Sequence, residues 1–236
     1  MYRIGFSTGA VAKHDFRRAL AILTNSTSAT NAVELSALRS HELPDLLAAV
    51  PDLDLRRWTY VSIHAPSKFV SIADERAAAQ SLTAIAQAYQ VNIIQHPDAI
   101  QDWQAWGAIG SRLCLENMDL RKAVGQTCDS MAEVFDRLPD AGFCFDVGHA
   151  LQVDPTGVEG TRMLRAFGGR LQQVHLSYVN AVSDHELVNR AFLSKVNELL
   201  ALVPSQVAII LEGVCTDSHD VEQEIRITAG NLKLAA

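Results

Sequence analysis

Eight short apolar runs recur along the chain, and seven of them end on a carboxylate or an imidazole. They are "RIGFS" (3 to 7), "AVELSA" (32 to 37), "TYVSIHA" (59 to 65), "VNIIQHP" (91 to 97), "SRLCLEN" (111 to 117), "GFCFDV" (142 to 147), "LQQVHLS" (171 to 177) and "VAIILEGV" (207 to 214). Counted from Glu34 through His64, His96, Glu116, Asp146 and His175 to Glu212, the tips are 30, 32, 20, 30, 29 and 37 residues apart. A strand followed by a returning helix takes about 30 residues, so the rhythm is a repeated βα unit whose fourth copy is short. Between the runs, segments such as 73 to 89, 131 to 138, 160 to 169 and 189 to 203 carry helical spacing; in the last, Phe192, Val196, Leu199, Leu200 and Val203 form one stripe.

The runs are apolar on both faces, as strands are when a core lies on one side and helices on the other. Eight such units in 236 residues predict an α/β fold, a closed parallel (β/α)8 TIM barrel, whose usual length is about 250 residues. An open doubly wound sheet is the alternative. Against it, the first turn, "FSTGAVAKHD", lacks GxGxxG, and no Walker-type loop occurs. No linker or composition shift divides the chain, so residues 1 to 236 are expected to form one domain.

In a barrel the C-terminal strand ends converge on one face, where active sites lie. Residues two apart on a strand share a side. Cys114 with Glu116, Cys144 with Asp146, Gln173 with His175, and Ile210 with Glu212 are therefore expected to face inward, the polar member on top, with Leu115, Phe145 and Leu211 outward. Any one such tip reads as a helix cap, a salt bridge or a core imidazole. The set reads differently. His64, His96, His149, His175 and His185 all lie at or just past strand ends, whereas His14, His41 and His219 do not. Acids and imidazoles gathered in one dry cavity are costly, and a divalent cation relieves that cost. Imidazole and carboxylate without thiolate suit zinc, manganese or iron. Cys114 and Cys144, one layer down, are expected to be too deep to ligate.

The four cysteines form no CxxC pair, so neither a zinc knuckle nor a disulfide framework is indicated. A formal charge of -7, with no basic run longer than a pair, disfavours a nucleic-acid partner. No apolar run reaches the roughly 20 residues of a membrane span, and "MYRIGFSTGA" carries no signal-peptide core. A cytoplasmic protein is expected.

Taken in order, "VELSA", "SIHAP", "IIQHPD", "LCLENMD", "CFDVGHA", "VHLS" and "IILEG" resemble the xylose isomerase-like superfamily, which includes sugar isomerases, epimerases and endonuclease IV. The resemblance covers the whole chain. From its epimerase branch it implies one metal on Glu116, Asp146, His175 and Glu212. The two glutamates would move a proton beside a metal-polarised carbonyl, and His149 would contact substrate. Two features depart from that branch: His64 and His96 are both present, and Ala181 replaces an expected Arg. From the endonuclease IV branch the resemblance implies a second metal on His64 and His96, bridged by Glu116, and a third using His149 with His185. Asp184, adjacent to His185, then misses its matching position.

One to three ions per chain are thus expected, and three functions stay open. The first is an isomerase or epimerase of a small sugar, sugar phosphate or polyol-like substrate. The second is a two- or three-metal phosphoesterase. The third is a barrel that binds metal or ligand without catalysis. Short loops and the acidic balance favour a small carbohydrate-like substrate over a DNA duplex. Lys13, Lys68, Arg121 and Lys122 follow strands and read either as solvated charges or as contacts for a phosphate group. Trp103 and Trp106 read as packing residues or as a sugar-stacking platform. Neither the oligomeric state nor the role of Glu34 follows from the sequence.

Overall fold

The computed structural model describes residues 3–26 and 30–234. Every expected run is a strand: β1 (Arg3–Ser7), β2 (Ala32–Ser36), β3 (Tyr60–His64), β4 (Asn92–Gln95), β5 (Leu113–Glu116), β6 (Gly142–Asp146) and β7 (Leu171–Leu176). A two-residue hairpin follows, β8 (Tyr178–Val179) with β9 (His185–Glu186), and then the last barrel strand, β10 (Ala208–Leu211). All barrel neighbours pair in parallel, and β1 closes the ring between β10 and β2. This is the (β/α)8 barrel, not the open sheet.

The strands sort their side chains by parity. Ile94, Cys114 and Cys144 cluster inside the barrel, as do Ala32, Ala208 and Ile210 above Tyr60. Leu115, Phe145 and Leu211 face the helical layer. That layer comprises α1 (Thr8–Val11), α2 (Phe16–Asn25), α3 (Leu43–Ala49), α4 (Ile72–Tyr89), α5 (Trp103–Gly107), α6 (Cys128–Arg137), α7 (Val147–Val153), α8 (Val158–Phe167), α9 (Arg190–Leu200) and α10 (Ser218–Leu234). Phe135 of α6 and Phe167 lie 5.9 Å from Phe143, a cluster of edge-on rings that seals the β6 side. No helix among the described residues is long and apolar enough to cross a membrane.

The short fourth unit holds the five-residue α5 between two 3-10 turns, Pro97–Ala99 and Gly110–Arg112, that link β4 to β5. Its tryptophans pack. Trp106 is fully buried, and its indole N–H donates to Glu75 Oε1 at 2.9 Å; that oxygen also accepts the backbone N–H groups of Gln101 and Asp102. One buried carboxylate thereby ties the β4–β5 connection to α4, satisfying donors that burial would otherwise leave costly. Trp103 lies under the Arg137 guanidinium, 3.7 Å from ring centroid to Cζ.

The β6–α7 turn is built into "CFDVGHA". Asp146 caps α7, its Oδ1 accepting the His149 N–H at 2.7 Å. Gly148 lets that turn approach β7, since a Cβ there would lie 2.5 Å from Val179 Cγ2 and 2.6 Å from the Ser177 carbonyl oxygen. The cap uses one Asp146 oxygen and leaves the other, Oδ2, without a hydrogen-bond partner.

Candidate metal centre

Four tips meet at one point. One donor atom each from Glu116, Asp146, His175 and Glu212 lies within 4.8 Å of the others, a spacing that one divalent ion could span. A second group with the same spacing comprises His64, His96 and Glu116. Glu116 belongs to both. Its Oε2 is 3.3 Å from His64 Nε2, 3.5 Å from His96 Nε2 and 3.3 Å from His175 Nδ1. A carboxylate so placed can bridge two ions.

Outer hydrogen bonds aim several of these imidazoles, as they do for metal-binding histidines in general. His64 Nδ1 lies 2.8 Å from the Ala65 carbonyl oxygen, so it carries the proton and Nε2 turns its lone pair toward Glu116. His175 Nε2 lies 3.0 Å from Glu34 Oε2, which leaves Nδ1 for the centre. Glu34 also accepts from the Gln173 amide at 2.6 Å. His149 Nδ1 lies 3.0 Å from the Asn117 carbonyl oxygen, while the Asn117 side chain holds the backbone N–H and C=O of Asp146. Asn117 thus locks β5 to β6 and orients His149 at once.

His149 and His185 also come together, with ring centroids 5.2 Å apart. Among the described residues, however, no group of three or more donors includes either one. His185 Nδ1 is instead 2.9 Å from Ser177 Oγ and 3.5 Å from Glu212 Oε2, and Asp184 beside it lines the cavity above.

The buried charges show what the centre demands. Burial pushes the Glu116 carboxyl up, but the imidazoles of His175 and His96 and contact with His149 outweigh it and hold it well below the usual range. Burial lowers the imidazoles, yet contact with Glu116 and the charge of Glu34 raise His64 to about 9. The charge of Asp146 and contact with Glu116 raise His149 to about 10. Burial dominates at Glu212 and, with repulsion from Glu116, Glu34 and Asp146, lifts it to about 8 against the pull of His175. His185 and His96 go the other way, His185 to about 4, chiefly by burial. The cluster therefore attracts cations, as protons or as metal. Its donors fit an ion on a further ground: Glu116 Oε2, Asp146 Oδ2 and His175 Nδ1 are buried without hydrogen-bond partners, and all three face the same point.

One expectation needs correction. Cys144 is not too deep: its sulfur forms a further 4.8 Å group with Glu116 and His175. The cause is barrel stagger, because Glu116 pairs with Cys144 rather than with Asp146, whose own partner is His175. Parity within β6 says nothing of its level against β5. Burial still pushes the Cys144 thiol well up, which keeps it protonated.

Above the centre lies a cavity of roughly 730 Å³ lined by His64, His96, Glu116, His149, His185 and Glu212, and farther out by all four strand-end cations named from the sequence. Two of those cations are paired, Arg121 with Asp119 at 2.7 Å and Lys122 with Asp98 at 2.7 Å. Sequence reasoning missed Asp119, whose Oδ2 lies 3.9 Å from His149 Nε2, and the work of Glu34, Asn117 and Gln173. Glu34 gave a signal as a polar strand tip and Gln173 as an inward-facing residue below His175, whereas Asp119 and Asn117 gave none. Because Glu34 orients His175, Glu34→Gln is expected to weaken metal binding by about 10- to 100-fold without unfolding the barrel; competition against a chelating dye reads the affinity, and an unchanged value would remove Glu34 from the centre.

No protein-family model matches the chain, and no curated protein sequence does. Solved structures do. A D-tagatose 3-epimerase-like protein superposes with a TM-score of 0.69 at 17% identity, covering 100% of this chain and 98% of that one. Endonuclease IV from Thermus thermophilus gives 0.63 at 19%, covering 98% and 99%. A xylose isomerase-like TIM barrel protein from Mycobacterium smegmatis, in complex with magnesium, gives 0.59 at 11%, covering 98% of each. Across nearly its whole length, this chain has the fold of the xylose isomerase-like TIM barrels.

Proposed function

We propose that this protein is a divalent-metal isomerase or epimerase of a small polyhydroxylated substrate, with Glu116, Asp146, His175 and Glu212 as ligands of the principal ion. The observation that carries this reading is the placement of His149. Its Nδ1 is held by the Asn117 carbonyl, no third donor among the described residues joins it to His185, and it lines the cavity, which supports a role in meeting substrate. The ion, when bound, would polarise a substrate carbonyl and acidify the neighbouring C–H bond.

The residues divide the remaining work. Glu116, at the centre of four imidazoles, is held as a ligand. Glu212 is the more open carboxylate, its side chain 14% exposed against 1% for Glu116. Its Oε2 lies 3.4 Å from His175 and 3.5 Å from His185, and in this reading a Glu212 carboxylate oxygen takes the substrate proton. His149 positions a substrate oxygen, and the cavity walls exclude bulk water.

Glu212→Gln is expected to abolish metal-dependent exchange of a substrate C–H proton with solvent deuterium, followed by NMR across a panel of carbonyl sugars and their phosphates. Wild-type protein that exchanges no proton on any of them would overturn the proposal. A second reading, a two-metal phosphoesterase, draws on His64, His96 and Glu116. Two bound ions per chain together with turnover of model phosphodiesters would favour it.

A further inference from the structure

The cations at the cavity mouth are unevenly placed. On the β5 side they are neutralised, Arg121 by Asp119 and Lys122 by Asp98. On the opposite side, Lys13 follows β1, Arg39 follows β2 and Lys68 follows β3, three strands that are neighbours in the ring. None of these three has an ion-pair partner among the described residues, and all line the one cavity. The acids of that cavity, Glu116, Asp119, Asp184 and Glu212, all come from other strands. In a chain of net charge -7, three unpaired cations on one arc of a mouth are a local reversal of sign.

His14 joins them. It is the cavity imidazole that does not belong to the strand-end set, and its Nδ1 lies 2.5 Å from Glu42 Oε1. Glu42 is itself held, its Oε2 accepting the Arg39 backbone N–H at 3.3 Å. Nδ1–H donates to the carboxylate, and in the protonated ring Nε2–H is the donor turned toward an anion. His14 has φ +66°, a backbone conformation uncommon outside glycine. That conformation and the Glu42 contact together hold the ring at the cavity edge.

We propose that this arc is a subsite for a phosphate monoester, with Lys13, Arg39 and Lys68 supplying charge and His14, held by Glu42, completing the contact. Resting on the isomerase reading, it makes the substrate a phosphorylated sugar or polyol whose phosphate sits at the mouth while its carbonyl reaches the floor. A dianion matches several cations on separate loops, whereas a neutral sugar would leave them unanswered.

The test is calorimetric titration of metal-loaded protein with inorganic phosphate and with glucose 6-phosphate, alongside elemental analysis. In K13A/R39A/K68A both ligands should bind at least ten-fold more weakly, in H14A at least three-fold, and in E42Q by an intermediate amount, with metal content unchanged. These side chains are exposed or at the mouth, and the Gln counterparts K13Q/R39Q/K68Q guard against a folding defect, checked by melting temperature. Equal phosphate affinity in wild type and triple variant would place phosphate on the ions and overturn the proposal. So would absence of binding to wild type at millimolar phosphate. Phosphate binding that depends on these residues in a protein that holds no metal would keep the subsite and overturn the isomerase reading instead.

Discussion

Glu116→Gln should empty both ion groups at once. The Oε2 atom of Glu116 stands 3.3 to 3.5 Å from three imidazoles drawn from both groups, and an amide would replace its charge with a dipole that can also donate. Removing one member of a buried charge set costs about 3–5 kcal/mol, which corresponds to roughly a 10²- to 4 × 10³-fold loss of ion affinity. His64→Ala, by contrast, touches only the group it shares with His96 and Glu116, and should leave the principal ion in place. Elemental analysis after gel filtration separates the two variants. If Glu116→Gln retains as much metal as wild type, the shared-ligand reading fails.

Chelation should lower the melting temperature by about 8–16 °C. Binding at a thousand-fold excess over Kd stabilises by about 4 kcal/mol, and each kcal/mol moves the midpoint by about 2–4 °C in a chain of this size. The pH dependence has a definite sign. In the metal-free fold His64 is raised from 6.5 to about 9, His149 from 6.5 to about 10, and Glu212 from 4.5 to about 8. The folded state then holds protons that the unfolded chain has released. The two histidines contribute fully below pH 6.5, and that contribution is lost as pH rises through 9 and 10; Glu212 loses its contribution between 4.5 and 8. Metal-free protein should therefore become less stable from pH 6.5 to about 9. An ion must displace the same protons, so its affinity rises over that window. The gap between chelated and loaded protein should widen with pH, and calorimetry at about pH 6.5, 7.5 and 9 measures it. A metal-free midpoint that climbs over that range would show that the protons are not there.

What the sequence could convey followed from periodicity within one strand and from the repeat along the chain. The polar tips at Glu34 through Glu212 marked each strand end, and parity sent Leu115, Phe145 and Leu211 to the helices. Relations across the barrel were not legible. Nothing in spacing says that Glu34 on β2 meets His175 on β7, or that Cys144 is level with Glu116, because both depend on stagger and closure. Asn117 was hidden for a related reason: its side chain serves the backbone of another strand, and no motif records that. The hairpin bearing His185 was too short to show a strand pattern.

The contact between Glu34 and His175 joins residues 141 positions apart. Such a contact has a high sequence separation, and contacts of that kind form late because the intervening chain must first be ordered. The donors proposed for the principal ion run from Glu116 to Glu212, on four strands that are neighbours in the ring. An ion held there would need only that half of the ring, whereas the Glu34 contact that orients His175 needs β1 and β2 in place as well. Full affinity would therefore await closure of the ring, and most of the ion's stabilisation would fall on the unfolding rate rather than on the folding rate.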